Sequence, residues 1–165
     1  MEVKYLFYLK ALKYLQNQNL NYQIDLSIFL GINRATAKTI LDKMELMGWI
    51  TIVKTGRKKQ YNLIKDVKLT KHDTYFLKHK KLSQTDKIML IHMLDICNVY
   101  FEVTMQRIIK TTKSSMTPPN TYKILQSLQA KKQVIRTAKH IKRINKTISV
   151  LKIVEISQEE RLKNG

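Results

Sequence analysis

The stretch spanning residues 24–61 limits the possible folds more than any other part of the sequence. Its leucines, isoleucines, alanine and methionine recur at helical spacing, with a break at Gly31. This spacing predicts two short helices that pack on each other across a tight turn. Asn33 is a favourable N-cap for the second of these helices, and Gly48 is a favourable C-cap. One face of the second helix is therefore expected to be buried and the opposite face exposed.

A β-hairpin with a basic tip is expected directly after these helices. Residues 49–53 and 60–64 are rich in β-prone side chains, and a glycine-containing basic turn separates them. Two helices at a tight turn, followed by such a ribbon, are the pattern of a helix-turn-helix whose second helix enters a major groove. The polar side chains expected to be exposed on that helix are Asn33, Arg34, Thr36, Lys38 and Thr39.

The same order of elements occurs again downstream. An amphipathic helix over residues 3–18 precedes the first helical pair, and a helix opened by the capping box of Ser83 and Asp86 precedes the second. Residues 36–44 align with residues 120–128, an offset of 84 residues, and one extra residue is expected between the later helix and its hairpin. The sequence therefore predicts helix, helix, helix, strand, strand twice, as a repeat of pattern rather than of identity.

Local signals place the elements of the second copy. Residues 99–101 are β-prone, and residues 104–110 are expected to form a short helix. Thr117 followed by two prolines predicts a further helix start. Strands are expected at residues 134–138 and 147–154, on either side of a long basic tip.

The charge of the chain indicates a polyanionic partner. The formal net charge is +19, and the pI is about 10.0. Residues 1–68 carry 12 basic and 5 acidic side chains, and residues 83–165 carry 15 and 6, so both halves are basic. Such a field favours nucleic acid or, less often, an acidic membrane surface. Both halves are expected to contact the same polyanion.

No motif for catalysis or for holding a cofactor is found in the sequence. The single cysteine, Cys97, precludes an intramolecular disulfide and is expected to be a buried thiol in a reducing cytoplasm. The four histidines lack partners at metal-ligand spacing, and His92 is expected on a helix surface. Walker loops, nucleophile elbows and dinucleotide fingerprints are missing. We therefore expect a non-enzyme with no cofactor, no metal, no signal peptide and no membrane span.

Residues of the first helical pair, its turn and its hairpin carry a family resemblance. These residues are Leu26, Leu30, Gly31, Ile32, Thr36, Ala37, Leu41, Met44, Gly48, Trp49, Ile50, Gly56, Arg57, Lys58, Lys59 and Tyr61. With them, residues 1–68 resemble the winged-helix DNA-binding family. The second copy is similar, but it has Lys132 and Gln133 where the first has a glycine and a tryptophan, and its turn at residues 113–116 is longer.

The resemblance implies a mostly helical α+β protein made of two tandem winged helix-turn-helix domains, related as an internal pseudo-dimer. The first winged-helix domain is expected at residues 1–68 and the second at residues 83–157. Residues 69–82 are expected to be a basic connector with a short helix around Tyr75. Residues 158–165 are expected to be a polar C-terminal tail.

The resemblance also implies which side chains contact DNA. Arg34 is expected to bond guanine O6 and N7, with phosphate contact as the alternative; Asn33 is expected to bond adenine, with capping alone as the alternative. The basic residues of the hairpin tips are expected to contact phosphates or a minor groove. The tip residues are Arg57, Lys58 and Lys59 in the first copy and Lys139, Lys142, Arg143 and Lys146 in the second. The helix of the second copy presents Thr117, Asn120, Thr121, Tyr122 and Lys123.

The expected function is that of a cytoplasmic, sequence-specific double-stranded DNA-binding protein. The tandem arrangement is similar to that of small conjugative-plasmid regulators, which implies a transcriptional repressor or regulator of a plasmid or other mobile element. A plasmid replication initiator or origin-binding accessory protein is the alternative within the same class. A winged-helix scaffold for protein–protein interaction, docking through its apolar first helix, is the alternative from another class. No membrane partner is expected, and both a monomer acting as an internal dimer and a homodimer stay open.

Overall fold

The computed structural model of the protein describes residues 3–18 and 23–154. The described residues divide into two compact units, and the boundary between the units lies between His79 and Lys80. Each unit combines helices with one small antiparallel sheet among the described residues, so the expected mixed α+β class is confirmed. The polar tail predicted at residues 158–165 lies outside the described residues, as do the last residues of the predicted second domain.

The first unit contains four helices and a two-stranded hairpin among its described residues. The elements are α1 (Val3–Asn17), α2 (Gln23–Leu30), α3 (Arg34–Leu46), β1 (Ile50–Thr55), β2 (Lys58–Leu63) and α4 (Lys71–Lys78). Each helix and strand predicted from the periodicity of the first copy is present, with bounds that differ by at most two residues.

The core of the first unit forms where α2 and α3 pack on each other and on the hairpin. Leu26, Leu41 and Met44 are at most 1% exposed, and so is Ile50 at the start of β1. Burying an apolar side chain of this size stabilises the fold by about 1.5–3 kcal/mol. Tyr61 of β2 is 2% exposed and closes the same core from the hairpin.

Helix α4 packs within the first unit, whereas a basic connector was expected at residues 69–82. Thr70 and Asp73 form a capping box at its start. Asp73 is 1% exposed and accepts a hydrogen bond from the buried Lys10 ammonium of α1 at 3.2 Å. Phe76 and Leu77 are also buried. The short helix expected around Tyr75 is thus present, but it belongs to the first core because a buried ion pair and two apolar side chains hold it there.

The described residues of the second unit form three helices and one three-stranded sheet. The elements are α5 (Gln84–Ile96), β3 (Glu102–Thr104), α6 (Met105–Thr112), α7 (Pro118–Ala130), β4 (Val134–Ile141), a 3-10 turn (Lys142–Ile144) and β5 (Lys146–Ile153). The strand order is β3-β5-β4, and both pairings are antiparallel. The capping box predicted for Ser83 and Asp86 is confirmed.

The first strand of this sheet lies slightly later than the sequence indicated. Residues 99–101 form a turn, and the strand starts at Glu102. The Oδ1 atom of Asn98 accepts hydrogen bonds from the N–H groups of Tyr100 and Glu102, each at 3.0 Å. An asparagine that binds the backbone two residues on favours a turn over a strand, and this local bond overrides the β propensity of the segment.

The repeat extends to the bounds of individual elements. Helices α3 and α7 begin at Arg34 and Pro118 and each contain 13 residues, so they are 84 residues apart at both ends. The strands that follow begin at Ile50 and Val134, again 84 residues apart. The extra residue expected between the second helix and its hairpin is therefore not there, and that prediction was wrong.

The two helices also end in the same way. Gly48 has φ of 72° and Lys132 has φ of 57°, so both adopt the left-handed conformation just past the helix. In each unit, the N–H of the following residue bonds a carbonyl five residues earlier, as in a Schellman motif. The pairs are Trp49 N to Met44 O at 3.0 Å and Gln133 N to Leu128 O at 2.9 Å.

Candidate nucleic-acid interface

The exposed face of α3 carries the polar side chains that the sequence indicated. Ala37, Ile40 and Leu41 are buried, because they face the core at helical spacing. The five predicted contact residues are all exposed along the other face: Asn33, Arg34, Thr36, Lys38 and Thr39. Helix α3 therefore presents one guanidinium, one ammonium, one amide and two hydroxyl groups on a single surface.

Two of these side chains already have partners in the helix itself. Asn33 is the N-cap, and its Oδ1 atom accepts a hydrogen bond from the N–H of Thr36 at 2.7 Å. A bidentate contact with adenine needs that same oxygen, so it competes with the cap. The hydroxyl of Thr39 donates to the carbonyl of Ala35 at 3.0 Å. Arg34 and Lys38 are left as the long cationic side chains on this face.

The first hairpin ends in a two-residue loop with cations on both sides. Gly56 has φ of 63°, and it is followed by Arg57, as in a type II′ turn, which matches the twist of the flanking strands. Lys54 and Lys59 lie directly opposite each other in the ladder. Like charges at such positions destabilise a hairpin on its own. The arrangement is suited to a bound polyanion, which would lower that repulsion.

Gln23 connects the exposed helix to this hairpin, and sequence reasoning missed it. Its Nε2 group donates to the carbonyl of Arg34 at 3.0 Å, and its Oε1 atom accepts from the hydroxyl of Tyr61 at 3.3 Å. The carbonyl of Tyr61 in turn accepts from the side chain of Gln16 in α1 at 2.8 Å. The start of α3 is therefore tied to β2 through one side chain. A glutamine beside a helix start leaves no periodic signal, so only the fold could identify it.

Tyr61 is suited to remain a donor in this connection. Burial raises the pKa of its phenol, and the nearby carboxylates of Asp42 and Glu45 add to that effect. The hydroxyl therefore stays protonated over the physiological range and donates to Gln23. Beside this bond lies an open groove of about 370 Å³ between the start of α2 and the hairpin tip. Its lining residues are Gln23, Ile24, Arg57, Lys58 and Lys59.

The corresponding helix of the second unit presents four of its five predicted residues. Thr117, Asn120, Tyr122 and Lys123 are exposed, and the Tyr122 ring does not fill the core. Thr121 is fully buried, and its hydroxyl lies 3.3 Å from that of Thr112 in α6. The expectation that the helix presents Thr121 on its exposed face was therefore wrong.

The repeat itself contained the signal that places Thr121 inside. At the offset of 84 residues, Thr121 aligns with Ala37, which is also fully buried. Both residues lie on the face of the helix that packs against the preceding helix. The threonine hydroxyl is tolerated there because it is close to Thr112 and to the carbonyl of Thr117, at 3.3 Å in each case.

The start of α7 differs chemically from the start of α3. Thr117 occupies the N-cap, but its side chain makes no capping hydrogen bond. Pro118 and Pro119 follow and have no N–H groups, whereas Arg34 and Ala35 at the start of α3 both have one. Because a helix start binds phosphate through such N–H groups, α3 offers more of them than α7.

The second hairpin is longer and ends in a 3-10 turn. Its strands contain eight residues each, compared with six in the first hairpin. Asn145 closes the turn in the left-handed conformation, with φ of 48°. The side chain of Arg136 bonds the hydroxyl of Ser149 across the hairpin, at 3.0 Å from Nη2. The four predicted cations of the tip are all exposed: Lys139, Lys142, Arg143 and Lys146.

His92 lies inside the second unit, and the expected position on a helix surface was wrong. It is 8% exposed, because α5 is apolar on most of its circumference. Its Nε2 atom lies 2.7 Å from the hydroxyl of Thr111. Burial lowers the pKa of His92, and the negative charge of Asp95 opposes that shift. The imidazole is therefore neutral in the folded protein at physiological pH.

Three further features of the described residues concern a thiol, the grouping of metal-ligating side chains and the length of the helices. Cys97 is half-buried at the end of α5, and burial raises the pKa of its thiol. Within residues 3–18 and 23–154, no three His, Cys, Asp or Glu side chains are grouped so that they could hold a metal ion. The helices of the same residues include none that is both long and apolar enough to cross a membrane.

No protein-family model matches the chain, and no curated protein matches it either.

Proposed function

We propose that the protein binds double-stranded DNA in a sequence-specific manner through two winged helix-turn-helix units, and that it regulates transcription. One observation carries the proposal: each unit presents the exposed polar face of a helix, followed at the same chain distance by a cationic hairpin. Helices α3 and α7 and the strands after them keep an offset of 84 residues, and both hairpin tips are basic. A helix for base edges beside a ribbon for phosphates is what such binding requires.

The helices and hairpins have different tasks in this proposal. Arg34 and Lys38 on α3 have the length and donors to reach guanine edges in a major groove, and Lys123 and Tyr122 occupy the corresponding region of α7. The hairpin tips supply phosphate contacts that hold the register but carry no sequence information. Capture by the field of the +19 chain would precede base recognition.

The salt dependence of binding tests the electrostatic part of this proposal. The full chain should bind a duplex of mixed sequence with an affinity that falls linearly on a double-logarithmic plot of affinity against salt concentration. Each phosphate neutralised contributes a slope of about −0.9 for duplex DNA. A slope near zero would contradict a polyanion-binding surface, because released counterions would then play no part.

Selection from a random duplex library tests the sequence-specific part. Repeated binding and amplification should enrich a consensus, and the enriched duplex, here called the selected duplex, should bind on the order of 10³-fold more tightly than a scrambled duplex. Failure to enrich any motif would leave only nonspecific DNA binding. Regulation of transcription and initiation of replication use the same protein contacts, so the position of the consensus, at a promoter or at an origin, would separate them.

A further inference from the structure

The tip of the second hairpin carries an exposed apolar side chain among its cations. Ile144 is 54% exposed at the end of the 3-10 turn, just before Asn145. The left-handed conformation of Asn145 ends the turn there. A side chain that only approached phosphates would gain nothing from being apolar, since an exposed isoleucine leaves its hydrophobic surface in water.

The first hairpin offers the matched contrast. Its tip consists of Thr55, Gly56, Arg57, Lys58 and Lys59, without any large apolar residue. Both tips have cations that suit phosphate contact, but only the second also has an isoleucine at its end. The two hairpins therefore differ in what they can do at a groove, although both are basic.

The length of the second hairpin allows its tip to reach deeply. The seven residue steps from Val134, which is 2% exposed, to Ile141 cover ~23 Å at ~3.3 Å per residue. The minor groove of B-form DNA is ~7.5 Å deep. This length exceeds the depth of the groove, so the tip with Ile144 can enter the groove while the base of the hairpin stays outside it.

We propose that Ile144 acts as an apolar wedge that enters the minor groove and partly unstacks one base step, so that the protein bends the duplex it binds. The proposal rests on the proposed DNA-binding function. Apolar side chains inserted in this way kink a duplex by ~20–90° toward the major groove. Pyrimidine–purine steps unstack at the lowest cost, so the wedge would favour such a step opposite the tip.

Ring closure of a short duplex measures this bending directly. A linear fragment of about 100 base pairs is shorter than the persistence length of ~150 base pairs and closes slowly under DNA ligase. The full chain, added at a concentration that saturates the fragment, should raise the closure rate by at least ~5-fold, because a bent fragment needs less elastic distortion to close. A fluorescent 2-aminopurine at the unstacked step should brighten at the same time.

Two isoleucines make a matched pair of variants. Ile144→Ser should reduce the closure rate to near that of the free fragment and leave the salt slope of binding unchanged, because no cation is lost. Ile144→Leu should retain the bending. Ile135→Ser is the control, because Ile135 is 51% exposed at the base of the same hairpin, away from the tip. It should bend DNA as the wild-type chain does.

The outcomes separate this inference from the proposed function. A wild-type chain that binds the fragment but leaves ring closure unchanged would overturn the wedge and leave DNA binding intact. Equal bending by Ile144→Ser and the wild-type chain would also overturn it. A wild-type chain that does not bind duplex at all would overturn both. If Ile144→Ser instead lost binding to phosphatidylserine vesicles while bending DNA normally, the isoleucine would serve a membrane surface and the wedge would be wrong.

Discussion

The exposed helices of the two units end with the same backbone conformation, although the residues at that position differ. Gly48 and Lys132 occupy equivalent positions, and both have a positive φ. A left-handed conformation costs an L-residue roughly 1–2 kcal/mol, whereas glycine adopts it readily. The lysine accepts that cost because the same hydrogen bonds close both helix ends. The hydrogen-bond register thus determines the turn, and the glycine of the first unit only lowers its cost.

The starts of the same helices differ in a way that bears on function. Asn33 caps α3 through its side chain, and the next residues retain their N–H groups. Two prolines occupy the first turn of α7. The first unit also has the shorter hairpin, while the second has Ile144 at the end of a longer one. Under the proposed function, the first unit would contribute more to base recognition and the second more to bending the duplex.

The largest expected effect concerns a buried ion pair of the first unit. Asp73→Ala removes the carboxylate that binds Lys10 and that completes the cap at Thr70. Breaking a pair buried to this degree costs ~3–5 kcal/mol of unfolding free energy. The second unit has a less buried pair, Lys131 with Asp86, where Lys131 is 39% exposed. Lys131→Met should therefore lower the unfolding free energy of the second unit by less. Native-state amide exchange would measure the stability of each unit separately. Equal losses of unfolding free energy in Asp73→Ala and Lys131→Met would show that burial does not distinguish the two ion pairs.

Binding should separate base contact from phosphate contact within the first unit. Arg34→Ala should cost ~1–3 kcal/mol on the selected duplex and leave affinity for a scrambled duplex nearly unchanged. Lys58→Ala should weaken binding to both duplexes and reduce the salt slope by about one unit. Titrations at several salt concentrations measure both effects. If Arg34→Ala weakened binding to both duplexes equally, Arg34 would contact phosphate and other residues would determine the sequence specificity.

The helix ends allow a test with opposite signs in the two units. Gly48→Ala should destabilise the first unit by ~1 kcal/mol through backbone strain alone, because a Cβ there would meet no atom within 4 Å. Lys132→Gly should stabilise the second unit by ~0.5–1 kcal/mol, since relief of strain exceeds the entropy that glycine adds to the unfolded chain. Urea unfolding of both variants decides the matter. A loss of stability in Lys132→Gly would show that the lysine side chain contributes more than its backbone costs.

The smallest expected effect is a pH dependence confined to the second unit. Burial holds the pKa of His92 below its ordinary value of 6.5, so the unfolded chain binds this proton more readily than the folded chain. The stability associated with neutral His92 is therefore complete above pH 6.5 and declines as the pH falls from there toward the lower folded pKa. His92→Gln should flatten the decline, as judged by urea unfolding at a series of pH values. An unchanged pH profile would assign the dependence to other groups.

The sequence allowed the prediction of elements that depend on local signals. Helical spacing predicted α2 and α3, the capping residues Asn33 and Ser83 were recognised by type, and the turn glycine placed the first hairpin. The exposed face of α3 followed from the same spacing, because positions that pack inward leave the others outside.

The parts of the fold and of the candidate site that the sequence did not predict depend on contacts between residues distant in the chain. Helix α4 is held by a bond between Lys10 and Asp73, which are 63 residues apart, and no local pattern reports such a pair. Gln23 acts through a backbone carbonyl and a tyrosine hydroxyl, neither of which is visible as a motif. Thr121 was assigned outward by its polar type, although its alignment with Ala37 would have placed it inside.

Hydroxyl-radical footprinting of the full chain on the selected duplex tests the central claim most directly. If both units bind, two protected half-sites should appear with centres ~34 Å apart, or about one helical turn, within a region of roughly 20 base pairs. Arg34→Ala should weaken protection mainly over one half-site, and Lys123→Ala mainly over the other. Binding by two units would be contradicted if a single segment of about one helical turn were protected, and if Arg34→Ala weakened that protection while Lys123→Ala left it unchanged.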